Sequence, residues 1–123
     1  MSTQFHILIV EDDEATRYVT GRLVQQCGHR VSTAESGLQA LDLHDNDPAD
    51  LVVLDMRLPD LHGRDIALDI RSRRPVPILA LTNFPGDVDN VDAALVKPPD
   101  PERLCQTIDR LIESDRAARR RVG

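Results

Sequence analysis

Short apolar runs alternate with segments of helical period along most of the chain, and this alternation constrains the fold more than any other feature. The runs cover residues 5–10, 31–34, 51–54, 78–81 and about 94–96. Continuous apolar runs of this length are typical of strands buried on both faces of a sheet. Strands separated by helices predict an α/β fold, because each crossover must return the chain to a parallel strand. We expect a five-stranded, doubly wound parallel sheet in the order 2-1-3-4-5, as in flavodoxin-like folds.

Capping residues mark where the intervening helices begin. Asp13 and Ser36 are suitable N-caps for helices over about 14–27 and 37–45, and Asp100 followed by Pro101 is typical of the start of a last helix. A third helix carries Ile66, Ala67 and Ile70. In the first helix an i, i+4 series predicts the face that packs into the core: Ala15, Val19, Leu23 and Cys27.

The chain length and its charge limit the possible functions. A chain of 123 residues is long enough for one domain, which we place at residues 1–115, followed by a basic tail or linker at 116–123. A net charge of −6 and only three aromatic residues argue against direct nucleic-acid binding. No apolar run is long enough to span a membrane, and residues 1–4 do not resemble a signal peptide, so we expect a cytoplasmic protein with no membrane partner.

The cysteines and histidines do not form a recognisable pattern. Cys27 and Cys105 are far apart in sequence and predict neither a zinc site nor a disulfide framework. The four histidines are scattered without the spacing of metal ligands, and we interpret them as structural or exposed.

Polar side chains follow four of the five predicted strands. Glu11 and Asp12 follow the first, Asp55 the third, Thr82 the fourth and Lys97 the fifth. Lys97 is the only lysine among 15 basic residues. Because ligands of doubly wound sheets bind at the carboxyl ends of the strands, we expect these side chains to meet there.

Such a cluster has a cost that a cation would offset. Two carboxylates about 4 Å apart repel by about 4 kcal/mol at an effective dielectric constant near 20. Oxygen ligands with room for water suit Mg²⁺. A phosphoryl group on Asp55 would then be met by the cation, the Lys97 ammonium and the Thr82 hydroxyl, an arrangement suited to phosphoryl transfer. Asp55 is the expected nucleophile, since carboxylates form acyl phosphates.

Four stretches, residues 7–13, 54–63, 81–82 and 96–98, together resemble the receiver domains of two-component response regulators, which are CheY-like. The likeness runs from about residue 5 to about residue 115. It implies that Asp55 is phosphorylated by the phosphohistidine of a sensor histidine kinase or histidine phosphotransfer protein. The resemblance also implies signalling through protein contacts, with no enzymatic activity beyond the domain's own phosphorylation and dephosphorylation.

The same resemblance assigns roles to the remaining residues of the cluster. Glu11, Asp12, Asp55 and the backbone carbonyl of Arg57 would hold Mg²⁺, and Thr82 and Lys97 would bind the phosphoryl oxygens. Asp13 falls one position late for the acidic pair and is assigned to capping. A cis peptide is expected before Pro98, and partner docking on the first helix and the Pro98–Pro99 loop.

Two features depart from the family pattern. The segment between Thr82 and Lys97 is short and contains Pro85-Gly86, poor helix formers, so we expect the family's fourth helix to be missing or very short. Ala94 stands where the family commonly has Tyr or Phe as a switch residue.

Two other functions remain open. One is a degenerate receiver that binds its partner without phosphorylation, which the short segment favours. The other is a small Mg²⁺-dependent phosphohydrolase, although no Asp-x-Asp motif follows a strand.

Overall fold

The computed structural model describes residues 3–84 and 88–122. The elements in chain order are β1 (His6–Val10), α1 (Glu14–Gln26), β2 (Arg30–Ala34), α2 (Gly37–Asn46), β3 (Leu51–Asp55), α3 (Gly63–Arg73), β4 (Ile78–Thr82), β5 (Ala93–Val96) and α4 (Pro101–Val122). The five strands form one parallel sheet in the order β2-β1-β3-β4-β5. The predicted fold class and strand order are confirmed.

Alternate side chains of the central strands feed two separate cores, because neighbouring residues of a strand point to opposite faces. On one face, Ile7 and Ile9 of β1 pack with Val24 of α1 and with Leu104 and Ile108 of α4. On the other face, Leu8 and Val10 pack beneath α2 and α3. Burial on both faces explains why these strands are continuous apolar runs.

Only part of the apolar stripe predicted for α1 packs against the core. Thr20, Gly21 and Val24 are buried, whereas Ala15 is exposed and Val19 is 55% exposed. The buried face lies one position further along the helix. The packing there does not require Gly21 to be glycine, since a methyl group at this position would make only ordinary contact with Val31. The predicted core stripe is therefore wrong for Ala15 and Val19, which line a cavity described below, whereas Leu23 lines that cavity and also packs against the core.

The connection from β4 to β5 contains no helix in residues 83–84 and 88–92, the part of it that the structure describes. The expected loss of a helix here is confirmed for those residues, while Pro85 to Asp87 lie outside the described residues. Asn90 adopts a left-handed backbone conformation with φ of 64°, which interrupts helical geometry. On the face that such a helix would cover, Ala94 is half-buried and Val96 is 53% exposed.

The last helix is longer than its apolar face requires. Leu104, Ile108 and Ile112 are buried, and the helix then continues through the predicted basic tail as far as Val122. Arg116 pairs with Asp50, 2.8 Å from its carboxylate, and stacks on Phe5. Within the helices of the described residues, none has both the length and the apolar character needed to cross a membrane.

Cys27 and Cys105 form a disulfide, with their Cα atoms 5.5 Å apart. The expectation of two isolated thiols is therefore wrong. Cys27 caps the end of α1 and Cys105 lies on α4, and both helices pack on the same face of the sheet. The fold thus brings together two residues that are 78 positions apart in sequence.

Candidate functional site

Three carboxylates meet at the carboxyl ends of β1 and β3. Glu11 and Asp55 are buried and Asp12 is exposed, and one oxygen from each lies within 4.8 Å of the others. Glu11 and Asp12 follow β1, and Asp55 is the last residue of β3. Because β1 and β3 are parallel neighbours with buried side chains, the sheet brings the three carboxylates together at its carboxyl end. The predicted acidic cluster is present.

Lys97 inserts its ammonium group into this cluster from the end of β5. Its Nζ lies 2.5 Å from Oε1 of Glu11 and 3.5 Å from Oδ1 of Asp55. Its backbone N–H donates to the Thr82 carbonyl at 3.0 Å, which aligns the ends of β4 and β5. The peptide between Lys97 and Pro98 is cis, as the resemblance implied.

The donor set of the cluster suits a hard divalent cation. Mg²⁺ is bound in proteins through carboxylate oxygens and water. One oxygen each of Glu11, Asp12 and Asp55 lies within 4.8 Å of the other two, so the three carboxylates could hold such an ion together. Three carboxylates and one ammonium also leave two negative charges uncompensated, which a divalent cation would neutralise.

The two site residues Asp55 and Thr82 are held by backbone groups two positions further along the chain. The Arg57 N–H donates to Oδ1 of Asp55 at 3.0 Å, and the Phe84 N–H donates to the Thr82 hydroxyl oxygen at 3.0 Å. Because the Thr82 hydroxyl accepts this bond, its own hydrogen remains able to donate.

The loop from Asp55 to α3 is packed tightly on itself. Gly63 donates its N–H to the Met56 carbonyl, and a Cβ at Gly63 would lie 2.5 Å from the Met56 Cα. Only glycine therefore fits at position 63, the last residue of the 54–63 stretch that resembles receiver domains. An isolated antiparallel β-bridge between the backbones of Arg57 and His62 closes the same loop.

Asp60 fastens this loop to α2. Its carboxylate accepts from the N–H groups of Gly37 and Leu38 at 2.9 and 3.0 Å, at the start of that helix. These two bonds hold the pKa of the Asp60 carboxyl below its usual value. Anions are favoured at a helix N-terminus because the N–H groups there lack partners within the helix.

Asp13 has the capping role that was predicted for it. Its carboxylate accepts from the Thr16 N–H at 2.8 Å and from the Thr16 hydroxyl at 2.6 Å. These bonds lower the pKa of the exposed Asp13 carboxyl.

A cavity of about 610 Å³ opens beside the acidic cluster. One wall carries Glu11, Asp55 and Lys97, and the other is the apolar stripe of α1 with Pro98 and Pro99. The α1 residues that were expected in the core are therefore available at the side of the cluster.

The structure brings together all five side chains that were predicted at the strand ends. Glu11, Asp55 and Thr82 are buried, Lys97 is half-buried and Asp12 is exposed. Sequence reasoning missed the part played by Asp60. Only its position after Pro59 in a turn was visible, and nothing local relates residue 60 to a helix that begins at residue 37.

Comparison with known proteins agrees with this geometry. A family model described as a response regulator receiver domain matches residues 7–109. A probable transcriptional regulator, ycf27 of Cyanidium caldarium, is 32% identical over 93% of the chain and 50% of its own length. The polar-differentiation response regulator DivK of Brucella ovis is 30% identical, covering 83% of the chain and 91% of DivK.

A solved receiver-domain structure is also similar to this chain. The receiver domain of the sensor histidine kinase PA1611 from Pseudomonas aeruginosa has a TM-score of 0.82 and 29% identity, over 90% of this chain and 99% of that one. That structure has a magnesium ion coordinated in its active-site cleft. The chain spans half the length of ycf27, so likeness to that regulator concerns its receiver portion. By fold, by the matched span and by these relatives, the chain belongs to the response regulator receiver domain family.

Proposed function

We propose that this receiver takes a phosphoryl group onto Asp55 from a phosphohistidine of a sensor histidine kinase or histidine phosphotransfer protein. The observation that carries the proposal is the position of the Asp55 carboxylate. It is 8% exposed, beside Glu11 and Asp12 and 3.5 Å from the Lys97 ammonium. A buried carboxylate with a nearby cation is placed to act as a nucleophile and to have its product's charge stabilised.

The transfer replaces the bond between phosphorus and nitrogen with one between phosphorus and oxygen. An Asp55 carboxylate oxygen attacks phosphorus, and a P–O bond forms as the P–N bond of the donor breaks. The departing electron pair stays on the imidazole nitrogen, which takes up a proton from water. The Lys97 ammonium and the Thr82 hydroxyl then donate to the phosphoryl oxygens. Hydrolysis by water returns the carboxylate and releases phosphate.

The acidic cluster supports a requirement for Mg²⁺. Glu11, Asp12, Asp55 and the Arg57 carbonyl would hold the ion, and its chemistry would be to neutralise charge on the transferred phosphoryl group. The chain would turn over no external substrate, and a generic phosphate ester incubated with it is expected to remain intact.

Acetyl phosphate with Mg²⁺ tests the proposal directly. Intact-mass measurement should show one added phosphoryl group on the wild-type chain and none on Asp55→Asn. Asp13→Asn is the matched control, because it neutralises an adjacent carboxylate that caps α1 and retains a capping side chain. An unmodified wild-type protein, or a modified Asp55→Asn variant, would overturn the proposal.

A second candidate is phosphorylation-independent binding to a partner. The missing helix among the described residues between β4 and β5 favours it, because a surface that usually changes on phosphorylation is altered. A pull-down partner that binds wild type and Asp55→Asn equally, with or without acetyl phosphate, would support this candidate over the first.

The compartment stays a prediction. In a reducing cytoplasm the Cys27–Cys105 bond is expected to be open, whereas it would persist in an oxidising compartment. Counting free thiols in protein alkylated at the moment of lysis distinguishes the two.

A further inference from the structure

The side chains of Arg57 and Phe84 stack across the rim of the acidic site. The Arg57 guanidinium carbon lies 4.5 Å from the centre of the Phe84 ring. Arg57 follows β3 and Phe84 follows β4, so the stack joins two loops that the chain does not connect locally. Phe84 is 54% exposed, and Arg57 is exposed as well.

Both residues are also tied to the site through their backbones. The Arg57 N–H bonds to the Asp55 carboxylate and the Phe84 N–H bonds to the Thr82 hydroxyl. Their side chains line the 610 Å³ cavity that holds Asp55, and also a neighbouring cavity of about 260 Å³. The stack therefore forms a partition between the two cavities.

We propose that Arg57 binds the phosphoryl group on Asp55 directly, and that its guanidinium leaves the Phe84 ring to do so. In the unmodified protein the guanidinium rests on Phe84. When Asp55 is phosphorylated, the guanidinium turns to the phosphoryl oxygens and leaves the ring uncovered. This inference rests on the proposed phosphorylation of Asp55.

The exchange follows from the relative strength of the two interactions. A guanidinium over an exposed ring is held weakly, because water screens the attraction between the cation and the ring. A phosphoryl group adds negative charge and acceptor oxygens, and charge-assisted hydrogen bonds from a guanidinium to such oxygens are among the stronger polar contacts. Arg57 lies on the wall of the cavity where that charge would appear.

The exchange would also give this chain a change at its surface that reports the phosphorylation of Asp55. Ala94 occupies the position of the family's switch aromatic, and the described part of the β4–β5 connection has no helix to move. Phe84 lies in that connection, and Val96 is exposed at the end of β5. Uncovering the Phe84 ring would add exposed apolar surface to this connection directly.

Linkage makes the inference testable with beryllofluoride, a stable mimic of the phosphoryl group. If the ring competes for Arg57, then Phe84→Leu should tighten beryllofluoride binding by about two- to fivefold, the range expected for losing an exposed cation–π contact. Arg57→Leu should weaken binding. In an Arg57→Leu background, the further change Phe84→Leu should have no effect, since there is no guanidinium left to release.

Side-chain NMR of Arg57 gives a second readout. In the free protein the ring current of Phe84 should displace the Arg57 side-chain signals, and beryllofluoride should abolish that displacement. Arg64→Leu is the matched control, because Arg64 lines the neighbouring cavity and carries the same charge. It should leave the Arg57 signals of the free protein unchanged.

Each outcome decides between the two proposals. An equal effect of Phe84→Leu with and without Arg57, or Arg57 signals that stay displaced when beryllofluoride is bound, would overturn the exchange and leave the phosphorylation of Asp55 standing. If the wild-type chain neither binds beryllofluoride nor accepts a phosphoryl group, both proposals fall together.

Discussion

The two ends of the parallel sheet treat polar side chains in opposite ways. At the carboxyl end, Glu11, Asp12 and Asp55 are crowded together and share the single ammonium of Lys97. At the amino end, buried histidines use both ring nitrogens. For example, His44 accepts from the Ala49 N–H and its other nitrogen bonds to the Arg74 carbonyl.

The other two buried histidines at the amino end follow the same rule. His6 bonds to the Pro48 carbonyl and the Ser32 hydroxyl, and His29 bonds to the Phe5 N–H and the Asp109 carboxylate. Satisfied polar groups rigidify a fold, whereas crowded like charges weaken it unless a ligand arrives. This sheet therefore keeps its uncompensated charge at the end that carries the candidate site and its matched polar contacts at the other.

Removing the Cys27–Cys105 bond should lower the free energy of unfolding more than any other change considered, because this bond ties α1 to α4 over a long loop of chain. The double substitution Cys27→Ser with Cys105→Ser should lower the free energy of unfolding by roughly 2–4 kcal/mol under oxidising conditions. Urea unfolding with and without a reductant measures this loss in the free energy of unfolding. A reductant should lower the stability of wild type to that of the double variant, and an unchanged wild type would contradict the bond's role.

Removing a satisfied histidine should cost nearly as much. His44→Ala deprives the buried Ala49 N–H and the part-buried Arg74 carbonyl of their partners, and we expect a loss of about 2–3 kcal/mol in the free energy of unfolding. His62→Ala provides the control, since His62 is exposed and makes no side-chain cap to α3. Equal losses in the two variants would show that the amino end does not depend on these contacts.

Removing a charge at the carboxyl end should act in the opposite direction. Asp12→Asn relieves repulsion and should raise the free energy of unfolding in metal-free buffer by at most about 1 kcal/mol, because Asp12 is exposed to solvent. Mg²⁺ should raise the melting temperatures of wild type and of Asp13→Asn. It should raise the melting temperature of Asp12→Asn by a smaller amount. Destabilisation by Asp12→Asn in metal-free buffer would count against crowding at this end.

Replacing Asp60 should have the smallest effect on the free energy of unfolding, and that effect should depend on pH. Its pKa is lowered in the folded state by the N–H groups of α2, so the carboxylate adds stability above the pKa of the unfolded chain, about 4, and that stability is lost as the pH falls further. Asp60→Asn should cost about 0.5–1 kcal/mol at neutral pH. The difference in the free energy of unfolding between wild type and Asp60→Asn should disappear in acid. A difference that does not change with pH would contradict the assignment.

Much of the carboxyl end was predictable because it depends on short stretches of sequence. A buried parallel strand must be apolar along its length, and the residue that follows it must lie at the edge of the sheet. Given the strand order, Asp55, Thr82 and Lys97 could be assigned to one site. The short segment after Thr82 likewise predicted that its described residues, 83–84 and 88–92, form no helix, since Pro85-Gly86 is a local signal.

The remaining features depend on which surfaces the helices present to the sheet. The i, i+4 series of Ala15, Val19 and Leu23 is as regular as a core face, but the packing of α1 turned it toward the cavity. The Arg57–Phe84 stack similarly required two loops to meet.

The sequence by itself determined the five strands, their order and the chemistry at their ends, because side-chain period and local turn chemistry are properties of neighbouring residues. Only the tertiary structure decided the pairing of Cys27 with Cys105, the attachment of Asp60 to α2 and the partners of the buried histidines. Each of these contacts joins residues distant in the chain, and their distances depend on how whole elements pack.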